Sequence, residues 1–236
     1  MFNPNEAKRY SKQTILDEVG LIGQVKLKNS RIVVIGAGGL GCPVIQYLAA
    51  CGVGTIGIVD FDVIEHSNLH RQVLYMPQDV GKKKAEIAKE RALAQNPDVI
   101  IDIFDCALNE DNAEFILSQF DLVIDGCDNF LTRYIVNDAC VELEKPLIYG
   151  SILGFQGQLA VFNHQGSKNL RDLFPEPPNA EDVPNCSDNG VLGVVPGVIG
   201  TLMANEALKC ILELEINLNT FHIFDLLSLE MTKLRF

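Results

Sequence analysis

An apolar run, Arg31 to Ile35, leads straight into Gly36-Ala37-Gly38-Gly39-Leu40-Gly41 and then into a second apolar segment ending at Cys51. A strand, a glycine turn and a helix in that order restrict the fold more than any other part of the chain. Gly36, Gly38 and Gly41 let backbone approach a phosphate, and Gly39 adds freedom in the same turn. The helix behind them offers free N–H groups and the positive end of its dipole. Residues 55–60 form the next strand and end in Asp60. It follows Gly41 by roughly twenty residues, the spacing expected of a carboxylate that accepts from ribose hydroxyls. These features alone describe a nucleotide with a ribose, most often a nicotinamide dinucleotide.

After Asp60 the chain does not enter a helix at once. It runs through a polar stretch carrying Asp62, Asn68 and Arg71. A plain dinucleotide site needs only the glycines and Asp60. A cation and an amide beyond them point to chemistry on phosphate, since a guanidinium grips phosphate oxygens bidentately. Lys82-Lys83-Lys84 opens the following helix, where cations oppose the dipole. They form either a solvated face or a grip on a triphosphate within reach. Asp128 falls just past the fourth strand. It reads either as the N-cap of the next helix or as a Mg²⁺ ligand, because Mg²⁺ is usually held by one or two carboxylates together with substrate phosphates.

The order of segments predicts an α/β fold with a Rossmann-like, doubly wound and mostly parallel sheet. Strands are expected at 31–35, 55–60, 99–104, 121–125 and 146–151, with helices at 41–51, 82–95, 110–119 and 130–143. From 156 to 163 the alternation becomes that of an antiparallel strand. Residues 164–190 are polar with little regular pattern, and a loop of that length tends to be functional or mobile. A helix at 197–212 and antiparallel C-terminal strands at 220–224 and 229–236 complete the reading. With no repeat or linker, residues 1–236 are expected to form one domain. Its nucleotide-binding core would span about 28–152 and its modified part about 153–236.

The net charge of −12 argues against nucleic acid, whose binding relies on Lys and Arg neutralising phosphate. The N-terminal residues are polar, and the apolar run from Val191 to Ala204 is broken by Gly and Pro. No signal peptide, membrane span or extracellular setting is therefore expected, and the expected location is cytoplasmic. Seven cysteines, with no CxxC pair, predict neither a disulfide framework nor a thiolate zinc site. Cys42, Cys51, Cys127, Cys140 and Cys210 read as small buried hydrophobes.

Several of these motifs together resemble the ThiF/MoeB/HesA family, bacterial relatives of ubiquitin-activating enzymes. They are Gly36 to Gly41, Asp60-Phe-Asp62, Ser67-Asn68-Leu-His-Arg71-Gln72, Lys84 and Cys127-Asp128-Asn129. The resemblance extends from Arg9-Tyr-Ser-Lys-Gln13 through Val191-Leu-Gly-Val-Val-Pro-Gly197 to Ala204-Asn-Glu-Ala207. It implies ATP-dependent adenylation of the C-terminal glycine of a ubiquitin-like sulfur carrier ending in Gly-Gly, in thiamine or molybdopterin cofactor synthesis. It implies that Gly38, Gly39 and Gly41 line the nucleotide, that Asp60 holds the ribose, and that Asn68, Arg71 and Lys84 contact the phosphates. By the same resemblance Asp62, Gln72 and Asn129 belong to the nucleotide site and Asp128 holds Mg²⁺. A homodimer is implied as well, in which Lys12 reaches the partner's ATP from the place of a family arginine.

The resemblance further matches Cys186, in the polar segment, to a family cysteine that forms a thioester or acyl disulfide with the carrier. Many family members bind zinc through two CxxC pairs. Here the first pair's place reads Ser167 to Phe174, and residues matching the second are not in the sequence, so no zinc is expected. Two competing readings remain: an NAD-dependent oxidoreductase, which lacks support from any Tyr-x-x-x-Lys or clustered His, and a non-catalytic carrier-binding relative.

Overall fold

The computed structural model describes residues 2–178 and 190–236. Its centre is an eight-stranded sheet in the order β3-β2-β1-β4-β5-β6-β7-β8. The strands are β1 (Arg31–Ile35), β2 (Thr55–Val59), β3 (Ile100–Phe104), β4 (Leu122–Asp125), β5 (Leu147–Leu153), β6 (Gln156–Phe162), β7 (Thr220–Asp225) and β8 (Glu230–Arg235). The first five pair in parallel, and β6, β7 and β8 extend the sheet antiparallel. The doubly wound expectation holds, antiparallel C-terminal strands included.

The central strands RIVVI, TIGIV and LVID are apolar almost throughout because both faces are covered. Ile32, Val34, Ile56 and Ile58 point into one core, with the helices α4 (Gly41–Cys51), α5 (Lys84–Gln95) and α9 (Val194–Leu212) packed over it. Val33, Ile35 and Val123 point into the other, beneath α6 (Ala113–Leu117) and α7 (Phe130–Glu142). β8 is the outer edge and exposed along its length. Lys233 and Arg235 lie on it, the usual guard against edge-to-edge pairing.

Three differences from the sequence reading matter. The N-terminal thirty residues carry three helices, α1 (Pro4–Arg9), α2 (Ser11–Thr14) and α3 (Gly20–Asn29). The polar segment holds a short helix, α8 (Leu170–Leu173), capped by Asn169. Finally, α9 begins at Val194, not at Gly197, and runs for 19 residues with a mean hydropathy of 1.3. By length and composition it could cross a membrane. In this fold it packs against α4, β5 and β6, which accounts for its apolar character.

β1 lies between β2 and β4, so the chain leaves the sheet in opposite directions on either side of it. The crevice beyond the carboxyl ends of β1 and β4 is where open α/β sheets bind ligands.

Candidate functional site

The glycine turn sits at that crevice. Gly36 has φ +88°, a left-handed conformation, and a methyl group on it would meet the Gly126 carbonyl oxygen at 3.0 Å. A side chain on Gly41 would run into the Gly36 carbonyl, so the motif's outer glycines bring helix, turn and the β4 loop into direct contact. Ala37 is the hub of the turn. Its N–H donates to Asp60 Oδ2 at 2.7 Å, and its carbonyl accepts from the Tyr75 hydroxyl at 2.7 Å. Asp60 Oδ1 accepts from the Asp62 N–H at 2.8 Å. Burial pushes the Asp60 carboxyl above its ordinary range, while these two donors pull the other way. Asp60 therefore holds both edges of the turn and still has lone pairs for a sugar.

The polar extension is a closed loop. An antiparallel bridge joins Val63 to Lys83, and the Lys84 N–H donates to the Asp62 carbonyl at 3.0 Å. This closure separates the three lysines. Lys82 pairs with buried Asp79 at 3.1 Å and Lys83 with Asp105 at 3.0 Å, and both lysines reach the surface. Lys84 is buried, and its Nζ meets Asp62 Oδ2 at 2.7 Å. Two of the three thus form the solvated face, and the third turns inward.

Within the loop, Asn68 is buried and its Oδ1 accepts from the Glu65 N–H, closing a single helical turn at 66–68. Gln72 is buried beside Gly38, with its Oε1 unpartnered among the described residues. Arg71 lies against Gly39; its Nη1 donates to the Ser67 carbonyl and stands 2.8 Å from His70 Nε2. Among the described residues it has no acidic partner. The start of α9 closes this side, with Pro196 3.1 Å from where a Gly39 side chain would begin.

On the other side of the crevice, Asn129 rather than Asp128 caps α7, accepting from the Thr132 N–H at 2.8 Å. The capping reading of Asp128 is therefore corrected. Asp128 is exposed, and no hydrogen bond or ion pair holds it among the described residues. A carboxylate unpaired among the described residues, just past the Gly126–Cys127 loop that abuts Gly36, is a donor of the kind Mg²⁺ takes. Beneath it lie two residues that the sequence reading missed. Asp125 and Arg133 are both buried, their side chains 3.4 Å apart. An acid ending a strand buried on both faces demands a cation, and that demand was the available signal.

Lys12 is not brought to this crevice by its own chain. Tyr10 is wedged at the far end of α4, its hydroxyl accepting from Asn96 at 2.8 Å. Gln13 donates to the Cys51 carbonyl at 3.2 Å. Lys12, exposed between them, is separated from the glycine turn by the length of α4, about 16 Å at 1.5 Å per residue. Cys186 lies outside the described residues. Burial raises the thiols of Cys42 and Cys210 to about 12 and lifts those of Cys127 and Cys140, so these four are inert at neutral pH.

The ThiF family model matches residues 10–236. The chain belongs to the ThiF family. A sulfur carrier protein adenylyltransferase of Thermus thermophilus is 52% identical over 212 residues, covering 88% of this chain and 78% of that protein. The "Adenylyltransferase and sulfurtransferase MOCS3" of Culex quinquefasciatus is 50% identical over 210 residues, covering 89% of this chain but 48% of that protein. Against several of its ThiF-family relatives, then, the chain spans about half the length. Among solved structures, Escherichia coli MccB in complex with MccA-N7isoASN shares the fold with a TM-score of 0.85 at 23% identity, over 99% of this chain and 72% of that one.

Proposed function

We propose that this ThiF-family chain is an adenylyltransferase. It would use ATP to activate the C-terminal glycine of a ubiquitin-like sulfur carrier ending in Gly-Gly. The observation that carries the reading is the grouping around one glycine turn: Arg71 lies against Gly39 without an acidic partner among the described residues, Lys84 turns inward onto Asp62 beside Asp60, and Asp128, exposed and unpaired among the described residues, follows the Gly126–Cys127 loop that abuts Gly36. A dinucleotide site has no use for that charge pattern, whereas a reaction that breaks a triphosphate needs it. The names of the relatives quoted above support the same class.

In this reading the turn holds the phosphates through backbone N–H groups and Asp60 holds the ribose. A carrier carboxylate oxygen attacks the α-phosphorus. The bond from that phosphorus to the bridging oxygen breaks, and pyrophosphate leaves with the electron pair. Arg71 and Lys84 neutralise charge on the transferred and leaving phosphates, and the rigid turn keeps attack in line. No general base is required, since a C-terminal carboxylate is already ionised at neutral pH. Asp128 would hold Mg²⁺, which supplies further charge neutralisation on the phosphates. Lys84 must exchange Asp62 for phosphate, or share the two, as nucleotide enters. The reading carries with it a cytoplasmic homodimer in which Lys12 serves the partner's site.

The test is exchange of labelled pyrophosphate into ATP with purified carriers of the thiamine and molybdopterin types, each assayed beside a carrier lacking its last glycine. Exchange that requires the terminal glycine is expected, and the better carrier names the pathway. ATP binding without exchange on either carrier would favour the non-catalytic relative, and binding of NADH in preference to ATP would return the site to redox chemistry.

A further inference from the structure

The loop that bears Asp128 is gripped from below. Gly126 and Cys127 separate Asp125, the last residue of β4, from Asp128, and both peptide groups of Cys127 are held. The Cys127 N–H donates to Asp125 Oδ1 at 3.0 Å, and the Cys127 carbonyl accepts from Arg133 Nη2 at 2.7 Å. That carbonyl lies in the peptide plane that also carries the Asp128 N–H, so holding it fixes the direction in which Asp128 leaves the chain. Arg133 lies over the ring of Tyr149, 4.6 Å from its centroid, and Tyr149 is the register partner of Asp125 on β5. The guanidinium is therefore seated between the carboxyl end of β4 and the paired residue of β5.

Stability alone does not explain this arrangement. Arg133 Nη1 and Asp125 Oδ2 stand 3.4 Å apart, both buried and neither hydrogen-bonded among the described residues. A buried pair of this quality recovers its desolvation cost poorly, and apolar side chains of similar volume would serve the core as well. Burial is the largest single influence and disfavours the charge on Arg133, but Asp125, Tyr149, Cys127 and Asp128 together outweigh it and hold the guanidinium's pKa above its ordinary value. What an apolar pair would not do is hold the Cys127 carbonyl.

We infer that Arg133 is a positioning residue for the divalent cation: with Asp125 and Tyr149 beneath it, it orients the Cys127–Asp128 peptide so that the Asp128 carboxylate faces the nucleotide's phosphates. The inference rests on the reading of Asp128 as the cation's ligand. Groups that orient a metal ligand are typically worth 10–100-fold in metal affinity.

The probe is Mn²⁺ in place of Mg²⁺, titrated by electron paramagnetic resonance into the full chain saturated with ATP. ATP affinity without metal and Tm are measured alongside. Arg133→Lys keeps the charge that Asp125 requires but loses the fork and the flat stacking surface. The expected result is a weakening of Mn²⁺ by about tenfold or more, with metal-free ATP affinity unchanged. A folded Arg133→Lys protein with wild-type Mn²⁺ affinity overturns the inference. So does parallel loss of ATP and Mn²⁺ affinity with a fall in Tm, which is what a merely structural role produces. If Arg133→Lys does not fold, Asp125→Asn is judged by the same criteria, since it retains an oxygen for the Cys127 N–H and removes only the charge. Asp128→Asn separates the two levels. If it abolishes Mn²⁺ binding while Arg133→Lys does nothing, only the positioning role fails. If it leaves Mn²⁺ binding intact, the assignment of Asp128 fails and the positioning role with it.

Discussion

Arg71 is the residue on which the proposed chemistry depends most. It is part-exposed and without an acidic partner among the described residues, so its removal should leave Tm nearly untouched, within about 0.5 kcal/mol in stability. Carrier-dependent exchange should fall by roughly 10²–10³ in Arg71→Ala, the range seen when one preorganised donor to a developing charge is removed. Arg71→Lys should recover only part of this, because an ammonium lacks the planar fork. Tyr75 presents the opposite case. Its hydroxyl holds the Ala37 carbonyl from inside the core. Tyr75→Phe should cost about 1 kcal/mol, lowering Tm by roughly 2–4 °C, and should raise the ATP concentration needed for half-saturation. Thermal melts and ATP titrations on the two variants check both outcomes. The sequence exposed Arg71 because a cation beyond Asp60 is out of place in a dinucleotide site. Tyr75 stayed hidden because its role depends on a contact across 38 positions that no local pattern announces.

At the scale of elements, the parallel strands and their helices were legible because burial on both faces forces continuous apolar runs. The N-terminal helices were not. α3 carries Gly, Leu, Ile, Gln and Lys without a clean stripe, and its seat comes from tertiary contacts: Gly23 against Leu212, and Gln24 donating to the Cys51 carbonyl at 2.9 Å. α1 is fastened to α3 by Glu6, whose carboxylate pairs with Lys28 and accepts from the Asn3 N–H at 2.8 Å. The Lys28 contact, with the Asn3 N–H, holds the Glu6 carboxyl below its usual range. Its stabilisation is therefore fully present above the unfolded carboxylate pKa, about 4.3, and fades as pH falls through the lowered folded value. Glu6→Gln should lower Tm at pH 7 and make progressively less difference in melts taken toward pH 3.

For the whole molecule, the sequence showed which residues serve the crevice but not which chain supplies them. Lys12 and the glycine turn lie at opposite ends of α4, a separation visible only once Tyr10 and Gln13 are seen docked at Cys51 and Gly52. If a two-fold dimer carries Lys12 to the partner's turn, Lys12→Ala and Arg71→Ala should each be impaired alone and complement each other when mixed. Random reassociation would restore about a quarter of the sites, since half the dimers are mixed and each has one intact site. Exchange assayed before and after mixing, with sedimentation to establish the dimer, decides it. Mixed protein no more active than its parents would overturn the reading that Lys12 serves the partner's site.

α9 touches both regions. Its first turn rests on Gly39 through Pro196, and its last residue, Leu212, abuts Gly23, with Glu213 paired to Lys26 at 2.8 Å just beyond. A single rod of about 28 Å thus spans from the glycine turn to α3, which packs in turn against α2, the helix bearing Lys12. On the proposed reading, phosphate entering the turn would press on one end of a stiff lever whose other end seats α3. Amide exchange across α3 should accordingly slow when ATP is added, and Pro196→Ala, which shortens the contact at the near end, should weaken that response.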